Sequence, residues 1–101
     1  MSNYLMEKLT TNSYKILKII YDNQIIMKDG SRFTPMTQAE MAENMGVSKI
    51  TINTIIKELQ DNKLIYTYKS YRGRYCLTKK AMIIIDGFEI INAKLKEIDS
   101  I

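Results

Sequence analysis

The sequence predicts a mainly α-helical protein with a small β-hairpin, which places it in the α+β fold class. Three observations predict this class. Four segments carry apolar residues at helical spacing, a glycine separates the second segment from the third, and two strand-forming stretches flank Arg72-Gly73-Arg74. The chain has 101 residues and is expected to form one domain, 1–101, because two separate cores would each bury too little surface to offset chain entropy.

The first helix is expected to begin at a capping residue among positions 10–12 and to end near Asp22. Its buried face is expected to consist of Ile16, Leu17, Ile20 and Tyr21. The next stretch, 25–34, contains Asp29-Gly30, a pair that supplies the positive φ angle of a tight turn. This stretch is therefore predicted to be a hairpin, with a flexible loop as the alternative.

Two further helices joined by a glycine turn are predicted after Pro35, which excludes helix from the residues just before it. Thr37 and Glu40 have the spacing of a capping box, in which each side chain satisfies a free backbone N–H of the other. Gly46 can adopt the left-handed conformation that ends a helix, and Ser48 can cap the next helix. That third helix is expected to bury Ile52, Ile55, Ile56 and Leu59.

A basic hairpin is predicted over residues 64–78, where strand-forming stretches lie on either side of Gly73. Between positions 63 and 80 the chain has six basic residues and no acidic residue: Lys63, Lys69, Arg72, Arg74, Lys79 and Lys80. A phosphate backbone is a suitable partner for this charge, and a solvated surface is the alternative. Four tyrosines are expected to pack in the strands rather than stack on single-stranded bases: Tyr66, Tyr68, Tyr71 and Tyr75.

A last helix is predicted over residues 79–98, with Thr78 as its cap. Apolar residues repeat in it at alternating spacings of three and four, as in a heptad seam: Ala81, Ile84, Phe88, Ile91, Leu95 and Ile98. More apolar residues lie off the seam than one small core can cover: Met82, Ile83, Ile85 and Ile90. A homodimer is therefore predicted, with the dimerisation residues Ile84, Phe88, Ile91, Leu95 and Ile98.

The composition argues against several other classes of protein. There is no histidine and only one cysteine, Cys76, so neither an internal disulfide nor a histidine-based zinc or catalytic site is expected. Cys76 is expected to be a small buried residue rather than a reactive thiol. No apolar run reaches the roughly 20 residues that span a bilayer, and the N-terminus lacks the pattern of a secretory signal. The sequence predicts no cofactor, no metal, no enzyme activity and no membrane association, and a cytoplasmic location.

Residues 37–78 resemble the winged helix-turn-helix family. The scaffold helix, glycine turn and recognition helix of that family are similar to the run TQAEMAENMGVSKITIN at positions 37–53. The family's exit into the wing is similar to Leu59 followed by Asn62-Lys63-Leu64-Ile65, although Lys63 stands where glycine is usual. The resemblance implies a helix-turn-helix over 37–62, a wing over 64–78 and a C-terminal dimerisation helix over 79–98.

The resemblance implies that duplex DNA is the partner and that the third helix enters the major groove. Asn53 is expected to bind an adenine edge and Ile50 a thymine methyl, and the helix has no arginine for guanine, so an AT-rich site is predicted. The predicted DNA-binding residues are Thr37, Ser48, Lys49, Ile50, Thr51, Asn53, Thr54, Lys57, Lys69, Arg72 and Arg74.

Three of these predictions have alternatives. Ser48 can serve as a helix cap alone, and Ile50 can contact the second helix rather than DNA. The arginines Arg72 and Arg74 suit a narrow minor groove, or else are ordinary exposed turn charges.

The expected function is sequence-specific binding of double-stranded DNA by a dimeric transcriptional regulator that resembles the MarR and PadR groups. One alternative is a plasmid or phage partition adaptor that resembles TubR and recruits a filament-forming GTPase. Others are the winged domain of a plasmid replication initiator and an interaction module that does not bind DNA.

Overall fold

The computed structural model describes residues 12–70 and 73–99. Within these ranges the elements are α1 (Asn12–Asp22), β1 (Ile25–Ile26), β2 (Arg32–Pro35), α2 (Gln38–Met45), α3 (Lys49–Asp61), β3 (Ile65–Thr67), β4 (Arg74–Leu77) and α4 (Lys79–Asp99). A short 3-10 turn, Tyr68–Ser70, follows β3. This order confirms the predicted α+β winged helix-turn-helix fold with a C-terminal helix. The possible caps Thr10 and Thr11, and Tyr71 and Arg72 in the hairpin, lie outside the described residues.

The described strands form one antiparallel sheet in the order β1-β2-β4-β3. The predicted hairpin at residues 25–34 is present, with Ile25 paired to Phe33. Gly30 closes its turn with a φ angle of 87°. The backbone N–H of Met27 donates to the carbonyl oxygen of Ser31 at 2.8 Å. The hairpin therefore replaces the alternative of a flexible loop.

The second hairpin, formed by β3 and β4, is joined to the first through β2. Ile65 pairs with Leu77 in the second hairpin, and Thr34 of β2 pairs with Tyr75 of β4. The Thr34 side chain is fully buried, and its hydroxyl donates a hydrogen bond to the Ile20 carbonyl oxygen in α1. The wing is thus one edge of a four-stranded sheet that is attached to the helices.

One face of this sheet and the four helices enclose the core. The predicted inward residues of α1 and α3 are buried: Ile16, Leu17, Ile20, Ile52, Ile55, Ile56 and Leu59. Tyr21 is partly buried and packs against them. Met41 of α2 and Ile85 of α4 are each fully buried, so every helix contributes to the same apolar cluster.

The turn between α2 and α3 follows the sequence prediction closely. The Thr37 hydroxyl accepts a hydrogen bond from the Glu40 N–H at 3.1 Å, and the Glu40 carboxylate accepts one from the Thr37 N–H, which completes the capping box. Gly46 has φ 68° and ψ 31°, the left-handed conformation. The N–H of Val47 donates to the Ala42 carbonyl at 3.1 Å, so the end of α2 is satisfied.

The turn that leaves α3 is also left-handed, but it is formed by a lysine. Lys63 has a φ angle of 58°. The N–H of Leu64 donates to the Leu59 carbonyl at 2.9 Å, which reverses the chain toward β3. The position therefore has the backbone conformation that glycine favours, and lysine adopts it at a cost of about 1 kcal/mol.

The structure contradicts the sequence prediction for Phe88 of α4. It was predicted as a dimerisation residue, but it is 2% exposed and packs on Tyr14 of α1 with ring centroids 4.3 Å apart. The α4 residues that are buried in the protomer are Ala81, Ile85 and Phe88, so the core-facing stripe departs from the predicted seam at Ile84. Periodicity shows that a helix has apolar faces without showing which face meets its own core.

A polar cluster fixes α4 against α1 at the same level. The Glu89 carboxylate accepts a hydrogen bond from the Tyr14 hydroxyl at 3.3 Å and forms an ion pair with Lys18 at 3.1 Å. Lys18 also pairs with Asp22 at 3.3 Å. Burial and the neighbouring Glu89 carboxylate raise the pKa of Tyr14, which therefore stays protonated as the donor.

Cys76 is buried in β4, as predicted. It is 4% exposed, and its thiol donates to the Arg32 carbonyl oxygen at 3.3 Å. Burial raises the pKa of the Cys76 thiol, which keeps it in the unreactive neutral form. No helix within residues 12–70 and 73–99 combines the length and apolarity needed to cross a bilayer.

Candidate nucleic-acid interface

The outward side of α3 presents five of the eleven predicted DNA-binding residues together. Glu58, Gln60 and Asp61 near the end of α3 are exposed as well. Of the predicted DNA-binding residues, five are exposed on the side away from the buried residues: Lys49, Ile50, Asn53, Thr54 and Lys57. Two lysines on this side supply positive charge, and Asn53 supplies both a donor and an acceptor. We call this set the outward α3 face.

Ile50 is 79% exposed, the largest exposed fraction of any large apolar side chain among the described residues. The alternative in which Ile50 packs against the second helix is therefore wrong. Thr54 lies one turn further along, and its hydroxyl donates to the Ile50 carbonyl at 3.1 Å. Ile50 thus lies in solvent between polar neighbours, at the first turn of α3.

Ser48 is the N-terminal cap of α3. Its hydroxyl oxygen accepts a hydrogen bond from the Thr51 N–H at 3.1 Å and lies 2.9 Å from the Thr51 hydroxyl. These bonds hold the first turn of α3 together, and the two hydroxyls satisfy each other in the absence of a ligand.

A groove runs between α3 and the wing. One part has a volume of about 400 Å³ and is lined by Thr37, Gln38, Lys49, Asn53, Gly73 and Tyr75. It continues past Ile56 and Lys57 to Gln60 and Thr67. No carboxylate lines either part among the described residues. The groove is therefore electropositive and offers amide, hydroxyl and ammonium groups.

The sequence prediction missed four polar side chains that line this groove: Gln38, Gln60, Thr67 and Tyr75. The Gln38 side-chain amide donates to the Tyr75 hydroxyl at 3.4 Å, which joins the start of α2 to β4. The β2–β4 pairing brings Tyr75 to this place. Because that pairing joins residues distant in sequence, no local pattern indicated it.

The wing turn rests against the start of α2. The N–H of Met36 donates to the Gly73 carbonyl at 2.8 Å. Gly73 has φ 72°, and a Cβ there would lie 3.8 Å from the Thr37 methyl group. Thr37 therefore lines the groove beside the wing while it caps α2, so its predicted contact with DNA is compatible with its structural role.

The basic side chains of the wing lie beside an aromatic pair. Phe33 of β2 stacks on Tyr68 with centroids 4.3 Å apart, the Arg74 guanidinium lies 5.6 Å from the Phe33 ring, and the Lys69 ammonium lies 5.3 Å from the Tyr68 ring. Such cation–π contacts restrict long side chains while leaving their charge accessible. Tyr68 and the buried Tyr75 pack as expected, whereas Tyr66 is 53% exposed. Arg72 lies outside the described residues.

Comparison with known protein families identifies the kind of domain to which the helix-turn-helix and the wing belong. Residues 14–82 match the Crp-like helix-turn-helix domain, a match that covers about two thirds of the chain. The chain belongs to this family. Crp-like domains are DNA-binding and non-catalytic, so the chain contains a helix-turn-helix DNA-binding domain. No curated protein and no solved structure is significantly similar to the chain.

The boundaries of the Crp-like match divide the molecule. The match begins at Tyr14 within α1, includes the whole helix-turn-helix and both wing strands, and ends at Met82 in the first turn of α4. The rest of α4, from Ile83 to Asp99, lies beyond the family domain. Among the described residues, no group of three or more potential metal ligands occurs.

Proposed function

We propose that the protein is a sequence-specific regulator of transcription that binds AT-rich double-stranded DNA as a homodimer. The observation that carries the proposal is the outward α3 face, which lies beside an acid-free groove leading to a basic wing. A helix fits the major groove, and a wing beside it reaches the neighbouring backbone or minor groove. Because the DNA is intracellular, the proposal includes a cytoplasmic location.

Base reading is assigned to two side chains of α3. Asn53 is exposed on the side of the face that lines the groove and can bind the N6 and N7 atoms of adenine together. Ile50 is 79% exposed and suits the methyl group of thymine. The helix α3 has no arginine, the side chain that most often reads guanine. These features together favour AT-rich sites.

The groove is assigned to the DNA strand that passes between α3 and the wing. Lys49 can pair with a phosphate, and Gln38 and the Tyr75 hydroxyl can donate to its oxygens. Such contacts position the duplex without reading its sequence. Replacing Tyr75 with Phe is therefore expected to weaken specific and random duplexes by the same factor.

The test of the proposal compares two asparagines. Asn53→Ala is expected to weaken binding to an AT-rich duplex by about 1–3 kcal/mol in fluorescence anisotropy, because one bidentate base contact is lost. Asn44→Ala is the matched control, since Asn44 is exposed on α2 and does not line the groove. Equal affinities for both variants, or no duplex binding by the unaltered protein at low salt, would contradict the proposal.

Two other functions use the same interface. A TubR-like partition adaptor, which works with a filament-forming GTPase, and a plasmid replication initiator also bind duplex DNA. The arrangement of sites separates them: one or two palindromes at a promoter support the regulator, whereas tandem repeats beside a tubulin-like gene support the adaptor.

A further inference from the structure

The helix α4 has a second apolar side that the described part of the protomer does not cover. Ile83, Ile90, Ile91 and Ile98 are 64%, 59%, 40% and 66% exposed. At 100° per residue they lie within roughly 100° of arc, about 130° around the helix from Ala81, Ile85 and Phe88. With Gly87, which falls inside the same arc, these residues form what we call the isoleucine face.

Gly87 is unexplained by the protomer alone. It lies in the interior of α4, where glycine is less favourable than any residue except proline. Its φ angle is not positive, and a Cβ built there would meet no atom within 4 Å. Neither the backbone nor packing within the described protomer requires a glycine at this position. Close approach of a side chain from another molecule would account for the glycine.

The isoleucine face is complementary to itself when two copies of α4 run antiparallel. If the two-fold axis of the antiparallel pair passes between Ile90 and Ile91, then Ile83 faces Ile98 of the second copy. In the same register Gly87 faces Lys94, whose long side chain needs the space that glycine leaves. The lysine charge then lies beside Asp86, and both residues are exposed in the protomer. A parallel pair would instead place Asp86 against Asp86.

We propose that the isoleucine face is the homodimer interface, with two α4 helices antiparallel and in closest contact near Gly87. The proposal deepens the homodimer of the proposed function and rests on it. It keeps Ile91 and Ile98 from the sequence prediction and adds Ile83, Gly87 and Ile90. It leaves out the buried Phe88 and the half-buried Ile84 and Leu95. The face lies beyond the Crp-like match, which ends at Met82, so pairing leaves the DNA-binding residues exposed.

The first test uses Gly87, because a larger side chain there has room in the protomer and none in the dimer. Gly87→Gln is expected to raise the dimer dissociation constant at least tenfold in analytical ultracentrifugation, while circular dichroism shows that helix content is retained. Lys96→Gln, on the core-facing side of α4 and exposed, is the control and should leave the constant unchanged. An unaltered protein that is monomeric at tens of micromolar, or a Gly87→Gln protein that dimerises normally, would overturn the proposal.

The second test uses disulfide formation to determine the orientation of the helices. In a Cys76→Ala background, Ile90→Cys is expected to cross-link to itself, since Ile90 lies next to the two-fold axis. Ile83→Cys and Ile98→Cys are each expected to stay uncross-linked alone and to cross-link when the two variants are mixed. Efficient self-cross-linking of Ile83→Cys indicates parallel helices and overturns the antiparallel geometry. Absence of any intermolecular cross-link, as expected if residues 1–11 cover the face instead, overturns the interface.

The two proposals fail in different ways. A monomer that binds AT-rich duplex DNA contradicts the interface and leaves the DNA-binding proposal intact. A dimer that cross-links as expected but binds no duplex contradicts the proposed function alone. A double charge exchange, Asp86→Lys with Lys94→Asp, should restore the dimer that either single change weakens, which a purely apolar contact would not do.

Discussion

The outward sides of α3 and α4 both expose isoleucine, but they expose it in different surroundings. On α3, Ile50 is a lone apolar side chain among Lys49, Asn53 and Thr54. On α4, four exposed isoleucines follow one another along the isoleucine face. A lone apolar contact among polar groups suits a base pair, which offers one methyl group beside donors and acceptors. A row of exposed isoleucines suits another protein surface, because only a large contact removes that much apolar area from water.

The two sides also differ in how the chain constrains them. Capped turns and left-handed residues hold α3 at both ends, with Ser48 and Gly46 before it and Lys63 after it. Beyond Phe88, the residues of α4 are no longer buried in the core. The contrast fits the two proposals, in which the outward α3 face is fixed within each protomer and the isoleucine face is completed by a second copy.

The largest effect is expected when one exposed isoleucine is replaced with glutamate, first on α4 and then on α3. Ile90→Glu should weaken the dimer on the order of 100-fold, because a carboxylate is buried without a partner, and should leave the fold intact. Ile50→Glu should leave the dimer unchanged and weaken DNA binding, because a negative charge meets phosphates. Ultracentrifugation and anisotropy on both variants check the exchange. If Ile50→Glu dissociates the dimer, the assignment of the two sides is wrong.

Substitutions in the wing are expected to have the next largest effect, a loss of DNA affinity. Replacing Lys69 and Arg74 with Ala should raise the dissociation constant about tenfold for specific and random duplexes alike, and should lower the slope of affinity against salt by about 2. The matched control replaces Lys15 and Lys96, which are exposed on α1 and α4. An unchanged slope in the wing variant would mean that these cations point away from the DNA.

Substitutions in the two turns that flank α3 are expected to have the smallest effects. They should change the free energy of unfolding in opposite directions. Gly46→Ala should lower the free energy of unfolding by about 1 kcal/mol, because alanine is strained at φ 68° although its Cβ meets no atom within 4 Å. Lys63→Gly should raise it by at most about 1 kcal/mol, since lysine already adopts φ 58° there. Urea denaturation measures both changes. A loss of stability in Lys63→Gly would show that the lysine side chain stabilises the turn.

The local features of the fold could be predicted from the sequence. The capping box at Thr37, the turn at Gly46 and the inward residues of α3 depend on residues a few positions apart, and the structure has all of them. The exposure of the proposed base-reading side chain Asn53 was predicted for the same reason, because the inward positions of Ile52 and Ile56 leave Asn53 outward.

The non-local features could not be predicted in this way. The β2–β4 pairing, which brings Tyr75 beside Gln38, joins segments about 40 residues apart and left no local signal. Phe88 was assigned to the dimer because its spacing fits a seam, and only the packing of Tyr14 shows that it belongs to the core. The left-handed turn at residue 63 could not be predicted either, because a lysine stands there and not the glycine that usually marks such a turn.

The central claim is that α3 reads AT-rich duplex DNA through Asn53 and Ile50. Selection from a random duplex library, carried out in parallel with the unaltered protein and Asn53→Ala, tests it most directly. The unaltered protein is expected to enrich AT-rich sites, and Asn53→Ala is expected to lose the preference for adenine at one position of the site. Enrichment of GC-rich sites, or identical preferences for the two proteins, would contradict it.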